Sequence, residues 1–263
     1  MEKLFNNILV PVNFPEDGES VLKSVVEIAA PLQCPIHILY LVTKGSEAEE
    51  AAFERLKGLV SREVPFPLYI RVSRQEGPAG RSIIEYYRKN KIDLILLLRK
   101  KKRFPNLFSQ SFPIDPDWLL KKIQCPVLTI HPGTALSLIK NIVLPIGDAL
   151  PIRKLLVATY LAKQSQATIH LVSAAGVPGQ PDGSAESLSG AFRLLSENTN
   201  LSVECRSLTG GNLAEVAWRY AQTIGAHLIL VSPGKESLLS GSLWSLRSRS
   251  LFRVSGIPIL AVP

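Results

Sequence analysis

The chain has 263 residues, enough for two domains of ordinary size. Hydrophobic residues make up 46% of it and charged residues 20%, which excludes an intrinsically disordered chain. Lysine and arginine exceed aspartate and glutamate by 30 − 22 = +8. This surplus favours an anionic partner, whether nucleotide, nucleic acid or membrane surface, without selecting among them.

The cysteine count and the apolar runs narrow the class of protein further. Three cysteines without a Cys-x-x-Cys spacing provide neither a disulfide framework nor a zinc set. No apolar run approaches the ~18 residues of a membrane-spanning helix. The opening MEKLFNNILVPV lacks the long apolar stretch and cleavage site of a signal peptide. We therefore expect a soluble cytoplasmic protein without a transmembrane segment.

An internal repeat organises the whole chain. Four short apolar segments return in the same order at offsets of 132–134 residues: NILVPV as NIVLPI, IHIL as IHLV, DLILLL as HLILVS, and CPVLTI as IPILAV. Gly77 and Gly211 are also 134 residues apart. A repeat of this length is a whole domain. Because Pro and Gly interrupt the segment His131–Lys140, we place the two domains at residues 1–134 and 135–263.

Each copy alternates strand and helix patterns. The runs rich in Val, Ile and Leu predict these strands, each buried on both faces: Ile8–Val12, Pro35–Val42, Leu68–Val72, Asp93–Leu98, Val127–Ile130, Ile142–Ile146, Thr168–Ser173, Ser202–Leu208, His227–Val231 and Ile259–Val262. Helical apolar stripes lie between them, one of them after a predicted capping box of Ser46 and Glu49. The alternation predicts an α/β fold with two doubly wound parallel sheets.

Together these segments resemble a tandem universal stress protein. The resemblance rests on ILVPVNFPEDGESVL (Ile8–Leu22), GPAGRSIIEYYRKNKIDLILL (Gly77–Leu97), GGNLAEVAWRYAQTIGAHLILV (Gly210–Val231) and the two closing strands. It implies a flavodoxin-like or Rossmann-like five-stranded sheet in each copy. It also implies that the copies pair through their last strands as an internal pseudo-dimer, and it allows a homodimer.

The resemblance also indicates where a ligand would bind. In open α/β sheets the crevice lies beyond the strand ends where strand order reverses, here after strands one and four of each copy. Nucleotide-binding members of the family carry an Asp after strand one and a Gly-x2-Gly-x9-Gly-[Ser/Thr] run after strand four. Glycines and backbone N–H groups at such a point hold phosphates.

This sequence departs from that pattern in both copies. In copy one, Asn13 replaces the Asp, and no glycine occurs between Lys91 and Gln124. In copy two, Gly147 takes the Asp position with Asp148 one residue later. The candidate nucleotide-binding residues are Asn13, Asp148, Ser232, Gly234, Lys235, Ser242, Ser245, Arg247 and Ser248. Copy two is the better candidate for ATP or AMP, although Ser232–Ser250 also fits a Ser-rich surface loop.

A basic run directly follows strand four of copy one. It consists of Arg99, Lys100, Lys101, Lys102 and Arg103. Such a run could bind phosphates, nucleic acid or an anionic surface, and it also fits a solvated loop after a buried strand.

Other chemistry-bearing residues indicate structural roles. His37 and His170 occupy matching places in the second strand of each copy, which favours a structural role. No acidic ligand spacing accompanies the histidines, so we expect no metal site. No nucleophile elbow, P-loop or HExxH motif occurs, and we assign no catalytic residue.

The sequence therefore leaves three functional hypotheses. The favoured one is a non-catalytic regulatory or binding protein of the stress response, with a degenerate nucleotide pocket and an unidentified protein partner. The first alternative is an ATP-binding stress protein with slow hydrolysis or self-phosphorylation within Ser237–Ser250. The second alternative is a scaffold that docks nucleic acid or an anionic surface through Arg99–Arg103.

Overall fold

The chain forms two compact units, Met1–Ser137 and Leu138–Pro263. The computed structural model describes residues 3–12, 18–29, 31–42, 46–63, 69–98, 114–130, 138–175, 183–239 and 250–263. Within these ranges no helix is long and apolar enough to cross a membrane. Each unit is an α/β structure with a parallel five-stranded sheet, which confirms the predicted fold class.

The described residues of unit 1 include five strands and four helices. Its strands are β1 (Ile8–Val12), β2 (Ile36–Val42), β3 (Ile70–Glu76), β4 (Leu94–Leu98) and β5 (Val127–Ile130). Its helices are α1 (Gly18–Ala29), α2 (Glu47–Glu63), α3 (Ala79–Lys89) and α4 (Pro116–Leu120). The strands lie in the order β3-β2-β1-β4-β5, with parallel pairing throughout.

Unit 2 repeats this arrangement. Its strands are β6 (Asn141–Pro145), β7 (Thr168–Ala174), β8 (Val203–Leu208), β9 (Leu228–Val231) and β10 (Ile259–Ala261). Its helices are α5 (Ile152–Ser165), α6 (Gly183–Asn198), α7 (Leu213–Thr223) and α8 (Leu251–Val254). The strand order is β10-β9-β6-β7-β8, again parallel.

The central strands form the core of each unit. Every residue of β1, β2, β4 and β5 is buried, and so is every residue of β9 and β10. Continuous apolar strands of this kind are stable only with helices covering both faces. The helix starts also follow sequence signals. The capping box before α2 is confirmed, because Ser46 N donates to Glu49 Oε2 at 3.1 Å and Glu49 N donates to Ser46 Oγ at 3.3 Å.

The expectation that all strands are buried on both faces is wrong for β3 and β8. Among the strands that the structure describes, each of these two has a single neighbour within its unit, and its residues are half-buried or exposed. The polar residues at the end of β3 continue the strand to Glu76, beyond the predicted Val72. A polar side chain costs little on a strand with a solvated face, so apolar content alone underestimates its length.

Candidate functional site

The strand order reverses at one point in each unit. In unit 2 the chain proceeds from β6 to β7 and β8 on one side, whereas β9 and β10 lie on the other side of β6. The crevice expected for a ligand is therefore at the carboxyl ends of β6 and β9. In unit 1 the equivalent point lies between β1 and β4. The residues that follow those two strands, including Asn13 and Arg99–Arg103, lie outside the described residues, and their proposed roles stay predictions.

A buried ion pair occupies the reversal point of unit 2. Lys154, in the first turn of α5, is 1% exposed. Its Nζ donates to the carbonyl oxygen of Pro145, the last residue of β6, at 2.5 Å. The same Nζ donates to Glu236 Oε2 at 2.5 Å. Because Glu236 follows β9 closely in the chain, the pair links the ends of the two strands at which a ligand would bind.

The electrostatics of Lys154 depend on Glu236. Burial lowers the pKa of the Lys154 ammonium, and the Glu236 carboxylate partly offsets that shift. Lys154 also lies in the first turn of α5, where the positive end of the helix dipole disfavours a cation. Glu236 Oε2 accepts a second hydrogen bond from the backbone N–H of Ser232, at 2.7 Å. The one carboxylate therefore satisfies two donors, an ammonium and an amide.

The short turn that carries Glu236 is itself held in place. A 3-10 turn spans Lys235–Ser237, and Ser237 Oγ donates to the carbonyl oxygen of Gly234 at 3.0 Å. Asn212 then joins this segment to α7. Its Oδ1 accepts from Glu215 N at 2.9 Å as the helix N-cap, and its Nδ2 donates to Leu238 O at 2.7 Å. The position of Glu236 is therefore fixed by contacts on both sides.

The structure brings together only some of the predicted nucleotide-binding residues. Ser232 directly follows β9 and contributes its N–H to the Glu236 carboxylate. Gly234 precedes the turn with φ +100°, and Lys235 begins it. Asp148 follows β6 as an exposed residue whose carbonyl oxygen accepts from Ser187 Oγ at 2.9 Å. The remaining candidates, Ser242, Ser245, Arg247 and Ser248, lie outside the described residues, so their assignment stays a prediction.

Sequence reasoning missed both members of the pair. Lys154 shares the buried face of α5 with Ala158, Leu161 and Ser165. A lysine on the apolar stripe of a helix is a signal of a buried partner, since an unpaired buried charge is very costly. Glu236 had no comparable signal, because its partner lies 82 residues away in the chain.

A hydrogen-bonded triad recurs in both units. His37 Nδ1 lies 3.0 Å from Tyr86 Oη, and its Nε2 lies 3.3 Å from Asn7 Oδ1. In unit 2, His170 makes the same contacts with Tyr220 Oη at 3.1 Å and Asn141 Oδ1 at 3.3 Å. Both histidines are buried, at 6% and 5% exposure. Asn7 and Asn141 are at the beginnings of the first strands, away from the ligand edge, which favours the structural role predicted for the histidines.

The two triads predict a loss of stability in acid. Burial, with Arg71 and Arg206 nearby, lowers the pKa of His37 and His170 below 6.5, although Glu204 acts in the opposite direction on His170. Below pH 6.5 the unfolded chain binds more protons than the folded one, so the free energy of unfolding falls as pH falls. Urea denaturation between about pH 5 and pH 8 measures this dependence.

The control for that prediction is the double variant H37Q/H170Q. Glutamine can hydrogen-bond but does not titrate, so the variant is expected to show a smaller loss of stability on acidification than the wild type. An identical pH dependence in the two proteins would show that other groups are responsible.

A second concave region of unit 2 lies at the opposite edge of the sheet. A polar groove of about 590 Å³ is lined by the ends of α5 and α6, including Lys163, Gln166 and Asn198. Two of its polar side chains bond to the last turn of α6, since Asn198 Nδ2 donates to Leu194 O at 2.8 Å and Thr199 Oγ1 to Leu195 O at 2.7 Å. The reversal point is the better candidate site, because open α/β sheets bind ligands where the strand order reverses.

Within the described ranges, no group of three or more His, Cys, Asp or Glu side chains is arranged to hold a metal ion. Residues 4–131 match the model of the universal stress protein family. The first unit is therefore similar to the universal stress protein family over nearly its whole length. The second unit lies beyond the matched residues, but it repeats the sequence segments and the strand order of the first.

Solved structures similar to this chain cover almost all of it. A universal stress protein from Archaeoglobus fulgidus is 16% identical with a TM-score of 0.66, and the alignment covers 98% of each chain. A putative universal stress protein from Pseudomonas aeruginosa is 19% identical with a TM-score of 0.64, over 99% of this chain and 94% of that one.

A third solved structure is also similar to this chain over almost its whole length. The cytoplasmic domain of a prokaryotic cation chloride cotransporter is 16% identical with a TM-score of 0.52, over 97% of this chain and 94% of that one. At these identities the likeness shows the fold alone. No curated protein matches the chain.

Proposed function

We propose that this chain is a non-catalytic regulatory or binding protein of the universal stress type, active in the stress response, with a degenerate nucleotide pocket in unit 2. The observation that carries the proposal is the Lys154–Glu236 pair at the carboxyl ends of β6 and β9. A phosphate at this point would meet a carboxylate instead of free donors. Repulsion between the two anions disfavours nucleotide binding in the closed arrangement.

The sequence around the site supports the same proposal. In unit 1 no glycine is available between Lys91 and Gln124 to let a backbone approach phosphates. In unit 2, Gly234 is at the wrong spacing for the family's run, and its neighbours carry side chains. Without a nucleotide to hydrolyse, the protein acts by association with a partner, in the cytoplasm.

Ligand analysis of the purified protein tests this function. We expect mass spectrometry to detect no stoichiometric nucleotide released from the wild type, and calorimetric titration with ATP, ADP, AMP and cyclic nucleotides to give no saturable heat. After incubation with ATP, the intact mass is expected to show no phosphorylation.

Stoichiometric ATP in the wild type would contradict the proposal, particularly if K235A or R247A abolished its binding. That result would support the alternative of an ATP-binding stress protein, and a mass increase on Ser237–Ser250 would support self-phosphorylation.

A further inference from the structure

One oxygen atom in unit 2 receives hydrogen bonds from two different elements. Glu236 Oε2 accepts from Lys154 Nζ at 2.5 Å and from Ser232 N at 2.7 Å. Lys154 projects from α5, whereas Ser232 follows β9. The ammonium is fully buried, and its other described partner is the Pro145 carbonyl oxygen. These donors converge on a single point, and an anionic oxygen occupies it.

The two donors suit oxyanions in general. Ammonium and backbone N–H groups bind phosphate oxygens through the same charge-assisted hydrogen bonds that they make with carboxylates. The Glu236 side chain retains 13% exposure, so its carboxylate lies near solvent while Lys154 does not. The arrangement is therefore an oxyanion site that already contains an oxyanion.

We propose that Glu236 is an internal ligand that closes an oxyanion site formed by Lys154 Nζ and the Ser232 N–H. The phosphate group of a nucleotide or free phosphate takes the place of the carboxylate when Glu236 is removed or turned away. This inference deepens the proposed function, since it names the residue that keeps the unit 2 pocket closed. Glu236 thus acts as an autoinhibitory contact at the ligand edge.

Rotation of the Glu236 side chain is the smallest movement that opens the site. The turn that carries Glu236 is anchored by Ser237 and by the Asn212 contact with Leu238, and these bonds do not involve the carboxylate. Departure of the carboxylate alone would leave the buried Lys154 ammonium uncompensated. An incoming oxyanion removes that penalty, so phosphate binding and release of Glu236 are coupled.

Titration with inorganic phosphate at fixed ionic strength tests the proposal on the full chain. We expect E236A to bind one phosphate at least about tenfold more tightly than the wild type. The double variant K154M/E236A is expected to lose this binding, because the buried cation is gone. E236Q should bind phosphate more weakly than E236A but more tightly than the wild type, since its amide still fills the position without balancing the Lys154 charge. E197A, which removes an exposed glutamate of α6, is the matched control and should also resemble the wild type.

Parallel titrations of E236A with AMP and ATP distinguish the source of the phosphate. Tighter binding of AMP or ATP than of inorganic phosphate supports a nucleotide as the natural occupant. Equal or weaker binding of both supports free phosphate.

Three results would overturn the inference: no saturable phosphate binding to folded E236A, equal binding to wild type and E236A, or binding that persists in K154M/E236A. If E236A does not fold, E236D serves instead, because its shorter side chain withdraws the carboxylate. An E236D variant that binds phosphate no more tightly than the wild type would overturn the inference equally. Nucleotide bound to the wild type would contradict the proposed function. If the wild type contains no nucleotide and the Glu236 variants bind no phosphate, only the role of Glu236 is contradicted.

Discussion

Replacing Lys154 by methionine is expected to destabilise the protein by about 3 kcal/mol, because removing one partner of a buried ion pair leaves the other charge uncompensated. The side chain of Glu236 is 13% exposed, so we expect the lower end of the range for fully buried pairs. Urea denaturation followed by circular dichroism measures the change. K163M is the matched control, since Lys163 is an exposed residue of the same helix and its replacement should cost less than about 0.5 kcal/mol.

The double variant K154M/E236M removes both charges, so it shows how much of the loss of stability in K154M comes from the unpaired Glu236 carboxylate. Two apolar side chains of similar volume should restore most of the stability, because neither charge remains buried. We expect it to remain about 1 kcal/mol below the wild type, since the Ser232 N–H loses its acceptor. A free energy of unfolding of K154M within about 0.5 kcal/mol of the wild-type value would contradict the claim that Lys154 and Glu236 form a buried ion pair.

The second large effect is expected at Gly211, which has φ +135° just before α7. A side chain at this φ is strained, and a Cβ on Gly211 would lie 2.7 Å from Glu215 Oε2. Displacing the Glu215 carboxylate would also disturb its ion pair with Arg219, whose Nη2 donates to Glu215 Oε1 at 2.5 Å. We therefore expect G211A to lose about 2 kcal/mol of stability, visible as a melting temperature lower by roughly 4–8 °C.

Gly58 provides the matched control for that substitution. It lies within α2, and a Cβ there would have no atom within 4 Å. G58A is expected to leave stability unchanged or to raise it by up to about 1 kcal/mol, since alanine favours the helix. G211A melting at or above the wild-type temperature would contradict the strain argument.

The same glycine explains part of what the sequence predicted. The sequence shows Gly77 and Gly211 as repeat positions 134 residues apart, each within a segment that carries the family resemblance. Both have positive φ, +113° and +135°, at the connection between a sheet-edge strand and the next helix. The repeat therefore reproduces a backbone conformation that only glycine adopts readily. Local rules of this kind, with apolar runs and the Ser46–Glu49 cap, were sufficient to predict the α/β fold.

The burial and length of a strand were less predictable, because they depend on which strands lie beside it in the folded sheet. The half-buried state of β3 and β8 depends on their place in the strand order. The apolar content of a segment carries no information about which strand lies at an edge. Apolar content therefore does not predict that β3 continues to Glu76.

The contents of the candidate site were less predictable than its expected position. The reversal of strand order predicts a ligand crevice after β6 and β9, and that position stays a prediction. The sequence indicates glycines and exposed cations there, whereas the structure also shows a carboxylate paired with a lysine from α5. Such a pair joins residues 82 apart, and only the folded chain shows that they meet.

A crystal structure of the full-length wild type, grown with ATP in excess, tests the central claim most directly. We predict that the Lys154 Nζ–Glu236 Oε2 contact is retained and that no nucleotide density lies beyond β6 and β9. A nucleotide phosphate bound at the Ser232 N–H, with Glu236 turned away from Lys154, would contradict the claim that the pocket of unit 2 is closed by its own side chain.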